Sequence, residues 1–270
     1  MRARCGLGAT PALAVVCISL ITMLWVTLTT QTLAAEEPII AAASSLNAVI
    51  VPISQAFARH SGKRVRISFG ASGSLSRQIA QGAPFELFLS ADESYVRALQ
   101  NQGLTTGSGV IYATGRLALF VPQGSRLLID PTLDDLSSAL GDSRLKRLAI
   151  ANPEHAPYGR AAQQALVHRG LWQPIQGNLL FGENVAQTAQ FTVSGADAGI
   201  ISYSAALELA EAGKGAYILL PAAWHRPLHH TMVLLNPAGE VARAFYRYLQ
   251  QPGAQRIFGK FGFLSLSTPQ

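Results

Sequence analysis

Small polar residues follow a short apolar run at four points of the chain, where a strand would end and a helix begin. The four loops start at Ser44, Gly70, Pro157 and Gly182, and none of them contains a lysine. A helix start leaves backbone N–H groups unpaired and carries the positive end of the helix dipole, so it suits an anion. The pattern predicts a pocket that binds a small oxyanion through hydroxyl and amide donors.

Helix capping is the competing interpretation of the serines in these loops. Ser44, Ser45 and Ser72 stand where N-cap residues are preferred, and a cap alone would explain any one of them. The four loops, however, recur as two in each half of the chain. That paired arrangement favours a ligand site over four unrelated caps.

Nucleophilic catalysis and metal binding have weaker support. The segment 70–74 lacks the second glycine in register for a nucleophile elbow. His155 has no evident third partner for a catalytic triad and is predicted to be a surface loop residue. The one histidine cluster has the spacing of no zinc site; it comprises His225, His229 and His230. No catalytic residue is therefore assigned.

Residues 1–35 have the features of a secretory signal peptide. Arg2 and Arg4 precede a long apolar run that ends in Ala34-Ala35, so we expect cleavage there and export to the periplasm. An uncleaved membrane anchor is the competing interpretation of so long a run. Both cysteines of the chain lie in this segment, so the mature protein is expected to have no disulfide and no cysteine metal site.

The charge of the chain gives little information about its ligand. Removing Arg2 and Arg4 takes the formal net charge from +6 to +4. The remaining excess is scattered, apart from short basic clusters at 63–66 and 144–147. No aromatic residues interleave with these clusters, so each indicates a solvated face and nucleic acid is not expected as a partner.

Short apolar runs alternate with amphipathic helical patterns over the rest of the chain. Strands are predicted at 39–43, 65–69, 85–89, 116–122, 148–151, 179–181, 198–202, 217–220 and 231–235. Helices are predicted at 47–60, 75–80, 93–100, 159–168, 185–193 and 241–249. Such alternation is typical of the α/β class, with mostly parallel sheets flanked by helices.

Two lobes account for the repetition of this pattern. The predicted first lobe comprises residues 36–115 and 226–270, and the second comprises residues 116–225. The chain crosses between them at 116–121 and returns near 227–235. In such lobes a ligand binds in the crevice outside the carboxyl ends of the strands, which is where the four loops would meet.

Several segments of the mature chain carry motifs that are recognisable as a set. They are 41–44 (Ala-Ala-Ala-Ser), 69–74 (Phe-Gly-Ala-Ser-Gly-Ser), 82–92 (Gly-Ala-Pro-Phe-Glu-Leu-Phe-Leu-Ser-Ala-Asp), 152–159 (Asn-Pro-Glu-His-Ala-Pro-Tyr-Gly), 182–185 (Gly-Glu-Asn-Val), 199–203 (Gly-Ile-Ile-Ser-Tyr) and 258–263 (Phe-Gly-Lys-Phe-Gly-Phe). This set resembles the periplasmic molybdate-binding proteins of ABC transporters. The resemblance covers essentially the whole mature chain and implies a two-lobed periplasmic binding protein fold of the second type.

The resemblance also implies which residues contact the ligand, one molybdate or tungstate ion in the cleft between the lobes. Ser44 and Ser72 would bind it through hydroxyl and amide, and Tyr158 and Val185 through backbone amides. These contacts are to the oxyanion of the metal, not to a bare cation. Ser45, directly after Ser44, is a candidate for an additional hydroxyl or amide contact.

A fifth contact in some family members is a tyrosine hydroxyl from a later strand. Ungapped alignment places Ser202 at that position, with Tyr203 one place further on. Both residues are therefore candidates for this contact.

The function implied is that of a monomeric extracytoplasmic solute-binding protein. It would capture molybdate or tungstate and deliver the ion to the permease of an ABC transporter, with no enzyme activity and no cofactor. A binding protein for sulfate or another oxyanion is the nearer alternative. A secreted α/β hydrolase, which would require Ser72 and His155, is the remote one. A membrane-tethered or regulatory ligand-sensing domain is a further alternative, which depends on whether the leader is cleaved.

Donor chemistry limits the ions that such a pocket accepts. Ionised molybdate, tungstate and sulfate offer only acceptors, which serine hydroxyls and amides can satisfy without a lysine or arginine. Hydrogen phosphate carries a proton and needs an acceptor opposite it, so a pocket of donors excludes it. A Glu183 carboxylate facing the pocket would supply that acceptor and readmit phosphate.

Overall fold

The computed structural model describes residues 37–264, in which strands and helices alternate. The predicted signal peptide and its cleavage site lie outside the described residues. No helix within residues 37–264 is both long and apolar enough to cross a membrane.

The strands are β1 (Ile39–Ala43), β2 (Arg66–Gly70), β3 (Phe85–Ser90), β4 (Thr105–Gly115), β5 (Leu117–Pro122), β6 (Leu148–Ala151), β7 (Leu179–Gly182), β8 (Ala198–Ser202), β9 (Gly215–Leu219) and β10 (Leu228–Leu235). The helices are α1 (Asn47–Ser61), α2 (Ser72–Ala80), α3 (Glu93–Asn101), α4 (Asp134–Gly141), α5 (Pro157–His168), α6 (Trp172–Ile175), α7 (Val185–Gly195), α8 (Tyr203–Glu211), α9 (Glu240–Leu249) and α10 (Pro252–Lys260).

The strands form two five-stranded sheets with the same plan. The strand order is β2-β1-β3-β10-β4 in the first sheet and β7-β6-β8-β5-β9 in the second. Three parallel strands stand at one side of each sheet. The fourth position is taken by one antiparallel strand, β10 or β5. The prediction of two mostly parallel sheets flanked by helices is confirmed, and the limits of the lobes at 115/116 and 225/226 stay a prediction.

The antiparallel strands carry the chain between the sheets. The chain leaves the first sheet after β4 and enters the second at β5, and it returns from β9 to β10. Parallel strands need crossover helices, so each βα unit places its loop at the same edge of its sheet. This topology brings the loops after β1, β2, β3, β6 and β7 toward one another.

The helices pack on the sheets through apolar faces. On α1 the buried side chains recur at helical spacing, at Val49, Ile50, Ile53 and Phe57. The ring of Phe57 meets Phe245 of α9 edge-on, with 5.1 Å between centroids. This packing fixes the start of α1 relative to β1, and therefore the position of the first polar loop.

Candidate functional site

A small cavity lies where β1, β2 and β3 end and where α5 and α7 begin. Its volume is about 10 Å³, far below the roughly 300–1,000 Å³ of pockets for drug-sized ligands. Residues from both sheets line it, and no lining residue from the described part of the chain has a charged side chain. A single small ion fits this size and polarity better than an organic substrate does.

Serine side chains line the first-sheet side of the cavity. Ser44, Ser45 and Ser72 are all buried there. The Ser72 Oγ accepts a hydrogen bond from the Ala91 N–H at 3.0 Å. A hydroxyl that accepts one hydrogen bond still has its own proton to donate. Ser72 is therefore held in place by the loop after β3 and keeps a donor for a ligand.

The capping interpretation of these serines is wrong. Ala43 is the N-cap of the short 3₁₀ turn Ser44–Leu46, and Ala71 is the N-cap of α2. No side chain accepts a hydrogen bond from the first turn in either case, whereas Asp92 does so at α3, where its Oδ1 accepts from the Ser94 N–H at 2.7 Å. Each serine stands one or two places after the N-cap residue, too late in the turn to cap it.

Ser45 has the least satisfied side chain at the site. Its Oγ is buried and has no hydrogen-bond partner among residues 37–264. A buried unpaired hydroxyl costs about 1–3 kcal/mol. The Ser45 backbone carbonyl accepts from the Ser204 Oγ at 2.9 Å, which ties the first loop to α8. A ligand oxygen in the cavity would give the Ser45 hydroxyl the partner that the protein does not.

Backbone N–H groups dominate the second-sheet side. Pro157 is the first residue of α5 and has no N–H, so the Tyr158 N–H is the first donor of that helix. At α7 the Asn184 Oδ1 accepts from the Ala186 and Gln187 N–H groups, at 3.1 Å each. The Val185 N–H therefore has neither a cap nor an intrahelical partner. Tyr158 and Val185 both line the cavity, so two free amide donors lie opposite the serines.

The phenol of Tyr158 is engaged across the two sheets. Its Oη lies 3.4 Å from the His230 Nε2 on β10. Burial raises the pKa of the Tyr158 phenol. The nearby Ser45 hydroxyl opposes this with a smaller effect, although the two groups do not form a hydrogen bond of ordinary geometry. Burial, and to a smaller extent the charge of His229, lowers the pKa of His230 to about 3. Both groups are neutral at pH 7 and add no charge to the cavity.

The structure corrects the prediction for His155. It is not a surface residue, since only 7% of it is exposed. Its Nε2 lies 2.9 Å from the Glu183 carbonyl oxygen, and its own carbonyl accepts from the Gly73 N–H at 2.9 Å. The loop after β6 folds over toward α2, which the local sequence does not indicate.

Glu183 does not supply an acceptor to the cavity. Its side chain is 74% exposed, and Oε2 lies 3.1 Å from the His155 Nε2. Glu183 is also absent from the cavity lining. The carboxylate that would have readmitted hydrogen phosphate therefore points elsewhere.

Ser202 and Tyr203 are not brought to the cavity. Ser202 is the N-cap of α8, its Oγ accepting from the Ala205 N–H at 3.4 Å and from the Ser204 Oγ at 3.2 Å. The Tyr203 ring packs against Tyr217, with 5.5 Å between centroids. Ser202 lines a separate neighbouring cavity, and Tyr203 lines neither. The structure instead places Ser45 at the cavity.

The remaining histidines form no metal site. His229 and His230 are consecutive on β10, so their side chains point to opposite faces of the sheet. Within residues 37–264, no group of three His, Cys, Asp or Glu side chains is placed to hold a metal ion.

Small residues at the strand ends were not recognised as part of the site from the sequence. Ala43, Ala71, Ala91 and Ala156 line the cavity between the serines and the helix starts. Their methyl groups leave space for an ion to approach the backbone. Alanine recurs beside three of the four polar loops, at Ala43, Ala71 and Ala156, and this recurrence is the signal that could have identified them.

Comparison with known proteins places the chain in a family. The family of bacterial extracellular solute-binding proteins matches residues 39–264. The molybdate-binding protein ModA of Rhodobacter capsulatus is 33% identical over 238 residues, covering 86% of this chain and 90% of that protein. The molybdate-binding protein ModA of Azotobacter vinelandii is 33% identical over 236 residues, covering 85% of this chain and 90% of that protein.

A solved structure gives the same result for the fold. The periplasmic molybdate-binding protein of Azotobacter vinelandii matches with a TM-score of 0.76 at 30% identity, covering 87% of this chain and 100% of that chain. Sequence, topology and the position of the cavity between two like sheets thus agree, and the chain belongs to the family of bacterial extracellular solute-binding proteins.

Proposed function

We propose that this protein captures molybdate or tungstate outside the cytoplasm and delivers the ion to the permease of an ABC transporter. The observation that carries the proposal is the ion-sized cavity between the sheets, which is lined by hydroxyl and amide donors and by no charged side chain. Its relatives of 33% identity are molybdate-binding proteins.

Five donors surround the ion in this proposal. Ser44, Ser45 and Ser72 give hydroxyl groups from the first sheet, and Tyr158 and Val185 give backbone N–H groups from the second. Neutral donors with unpaired hydrogens can stabilise a dianion at helix starts without a cationic side chain. Ser45 replaces Ser202 and Tyr203 as the fifth contact, because its buried Oγ is unpaired and lines the cavity.

Selectivity against phosphate follows from the absence of a carboxylate in the lining. A hydrogen phosphate proton would meet only neutral serine hydroxyls and amide N–H groups, and a proton left unpaired in a buried site costs about 1–3 kcal/mol. Sulfate has the same donor requirement as molybdate, so only size separates these two ions. The proposal also includes export by a leader that is cleaved near Ala34-Ala35, a periplasmic location and a monomeric state.

Thermal unfolding with each anion in turn tests the proposed function. A ligand at about 1,000 times its dissociation constant adds about 4 kcal/mol to the free energy of unfolding. Molybdate and tungstate are expected to raise the unfolding temperature, and phosphate is not. The double variant Ser44→Ala/Ser72→Ala should lose this response.

Two outcomes would contradict the proposal. If neither molybdate nor tungstate raises the unfolding temperature, the proposal loses its basis. An increase with sulfate alone would favour the sulfate-binding alternative. N-terminal sequencing of the exported protein tests the cleavage site separately.

A further inference from the structure

A second set of contacts joins the two sheets beside the cavity. The Arg160 Nη2 on α5 lies 2.7 Å from the Oδ2 of Asp92, the residue before α3. The guanidinium carbon of Arg160 lies 5.0 Å from the ring centroid of Tyr95 on α3. The Tyr95 Oη donates to the His155 carbonyl oxygen at 3.4 Å. Asp92 and Tyr95 follow a strand of the first sheet, whereas His155 and Arg160 follow a strand of the second.

We propose that Asp92 and Arg160 form a clasp that stabilises the closed arrangement of the two sheets and slows release of the bound ion. The identity of that ion rests on the proposed function, but the clasp itself does not. The pair does not touch the cavity. The pair holds the serine side and the amide side of the cavity at a fixed distance from each other, so Asp92 and Arg160 are positioning residues.

Each half of the clasp is connected through the backbone to one side of the cavity. Asp92 directly follows Ala91, whose N–H donates to the Ser72 Oγ. Arg160 stands two residues after Tyr158, whose N–H is a free donor on the other side. The ion pair can therefore form only when the serine side and the amide side face each other. An interaction present in one arrangement alone shifts the equilibrium toward that arrangement.

The carboxylate of Asp92 is oriented before Arg160 reaches it. Its Oδ1 accepts from the Ser94 N–H at 2.7 Å as the N-cap of α3, which leaves Oδ2 for the guanidinium. The side chains of Arg160 and Asp92 are 36% and 29% exposed. A partly buried pair with one partner already fixed loses less side-chain entropy than an exposed pair of two mobile side chains.

A backbone contact reinforces the clasp. The Gly73 N–H donates to the His155 carbonyl at 2.9 Å. A Cβ at position 73 would lie 2.7 Å from both that carbonyl oxygen and the Tyr95 Oη. Glycine at this position allows α2 to approach the loop after β6, and that approach places Arg160 over Tyr95.

The chain contains a matched control pair on the same helix. Arg97 and Glu93 form an ion pair of the same length, 2.7 Å, but both residues belong to α3. This pair cannot respond to the arrangement of the sheets, and it is more exposed, at 63% and 48%. Loss of its charge should leave ion release unchanged.

Stopped-flow kinetics with molybdate on the exported protein tests the clasp. Asp92→Asn keeps an N-cap of equal quality for α3 and removes the charge. Arg160→Met removes the guanidinium and keeps an unbranched stem. Each variant should release the ion about three to ten times faster, the range expected for an ion pair with a cation–π contact. The association rate should stay unchanged, and Arg97→Met should behave as the unmodified protein does.

Combination of the variants distinguishes the clasp from two unrelated effects. The double variant Asp92→Asn/Arg160→Met should release the ion no faster than the single variant with the higher release rate, because that variant has already lost the same interaction. Additive effects would overturn the proposal, as would a release rate unchanged in both single variants. A slower association rate with unchanged release would also overturn it.

A measurement without any ion separates failure of the clasp from failure of the proposed function. A fluorophore pair on two introduced cysteines, one on each side of the cleft, reports the closed fraction, since both natural cysteines lie in the leader that is expected to be removed. Asp92→Asn should lower that fraction and Arg97→Met should not. If no oxyanion binds, the proposed function fails while this result still tests the clasp. If the closed fraction is equal in all variants, the clasp proposal is contradicted, whichever ion the protein binds.

Discussion

The two sides of the cavity use different chemistry to the same end. The first-sheet side presents hydroxyl groups of Ser44, Ser45 and Ser72, whereas the second-sheet side presents N–H groups of Tyr158 and Val185. Hydroxyl donors depend on the residue type at each position. Amide donors depend on where a helix begins and on what caps it. One side can therefore be changed by single side-chain substitutions, and the other only by moving the backbone.

Capping illustrates the same difference between the sides. The Asn184 side chain accepts hydrogen bonds from two backbone N–H groups of α7 and leaves the Val185 N–H without a partner. The cap therefore decides which amide of this helix stays free. At α2 no side chain caps the helix, and the Gly73 N–H is used by the His155 carbonyl of the other sheet. The second side is set by local geometry, while the first also depends on contacts from across the cleft.

Removal of the Ser72 hydroxyl should have the largest effect on binding. Ser72→Ala loses a hydrogen bond to a charged ligand, which is expected to cost about 2 kcal/mol, or about 30-fold in affinity. It also leaves the Ala91 N–H without its acceptor and should lower the unfolding temperature. Isothermal titration with molybdate measures the affinity. Ser76→Ala, a buried serine of the same helix that does not line the cavity, is the matched control. Equal affinities for the two variants would show that the hydroxyl donates nothing.

Displacement of the α5 start should have the next largest effect. A methyl group on Gly159 would collide with the Ala151 carbonyl oxygen, so Gly159→Ala must shift the helix that presents the Tyr158 N–H. We expect a loss of about 1–3 kcal/mol in the free energy of unfolding and an affinity about tenfold weaker through a poorer amide hydrogen bond.

Denaturant unfolding and titration of Gly159→Ala together test this effect. Gly177→Ala, in the second sheet's half and with no atom within 4 Å of the added methyl, should change neither quantity. Full affinity in Gly159→Ala despite reduced stability would mean that the Tyr158 amide is not a donor.

Truncation of a side chain on the amide side should have the smallest effect. Val185→Ala keeps the backbone N–H, so molybdate affinity should stay within about twofold, a difference of about 0.4 kcal/mol. Loss of buried methyl groups should still lower the unfolding temperature. Titration and thermal unfolding of the same sample separate the two effects. A tenfold loss of affinity would show that the valine side chain, and not its amide, shapes the cavity.

Local sequence pattern was sufficient for the central elements of both sheets. β1 of the first sheet and β6 and β8 of the second have the predicted bounds, since runs such as Leu148–Ala151 are apolar throughout and flanked by polar loops. The helix at α5 begins at Pro157, two residues earlier than predicted, because proline at the first position fits a helix start. α2 begins at Ser72 and not at 75, although Ser72, Gly73 and Ser74 have low helix propensity.

The edge of the first sheet could not be predicted in the same way. β4 contains Gly107 and Gly109, which weaken the strand pattern. Its pairing with β10 and the bridge between Thr114 and Leu264 hold it in the sheet. Both contacts join residues more than a hundred positions apart, so no local window includes them. α8 is also absent from the prediction, which treats Ser202 and Tyr203 as candidate ligands, whereas in the structure the Ser202 side chain caps this helix.

The sequence by itself determined the class of fold, the positions of the four loops and the donor types that they contain, because these depend on local periodicity and residue chemistry. Only the tertiary structure decided that Ser45 lines the cavity while Ser202 and Tyr203 do not. It alone turned Glu183 outward, buried His155 and paired Asp92 with Arg160. The physical reason is that these outcomes depend on contacts such as Asp92 with Arg160 and Gly73 with His155, which join residues distant in the chain.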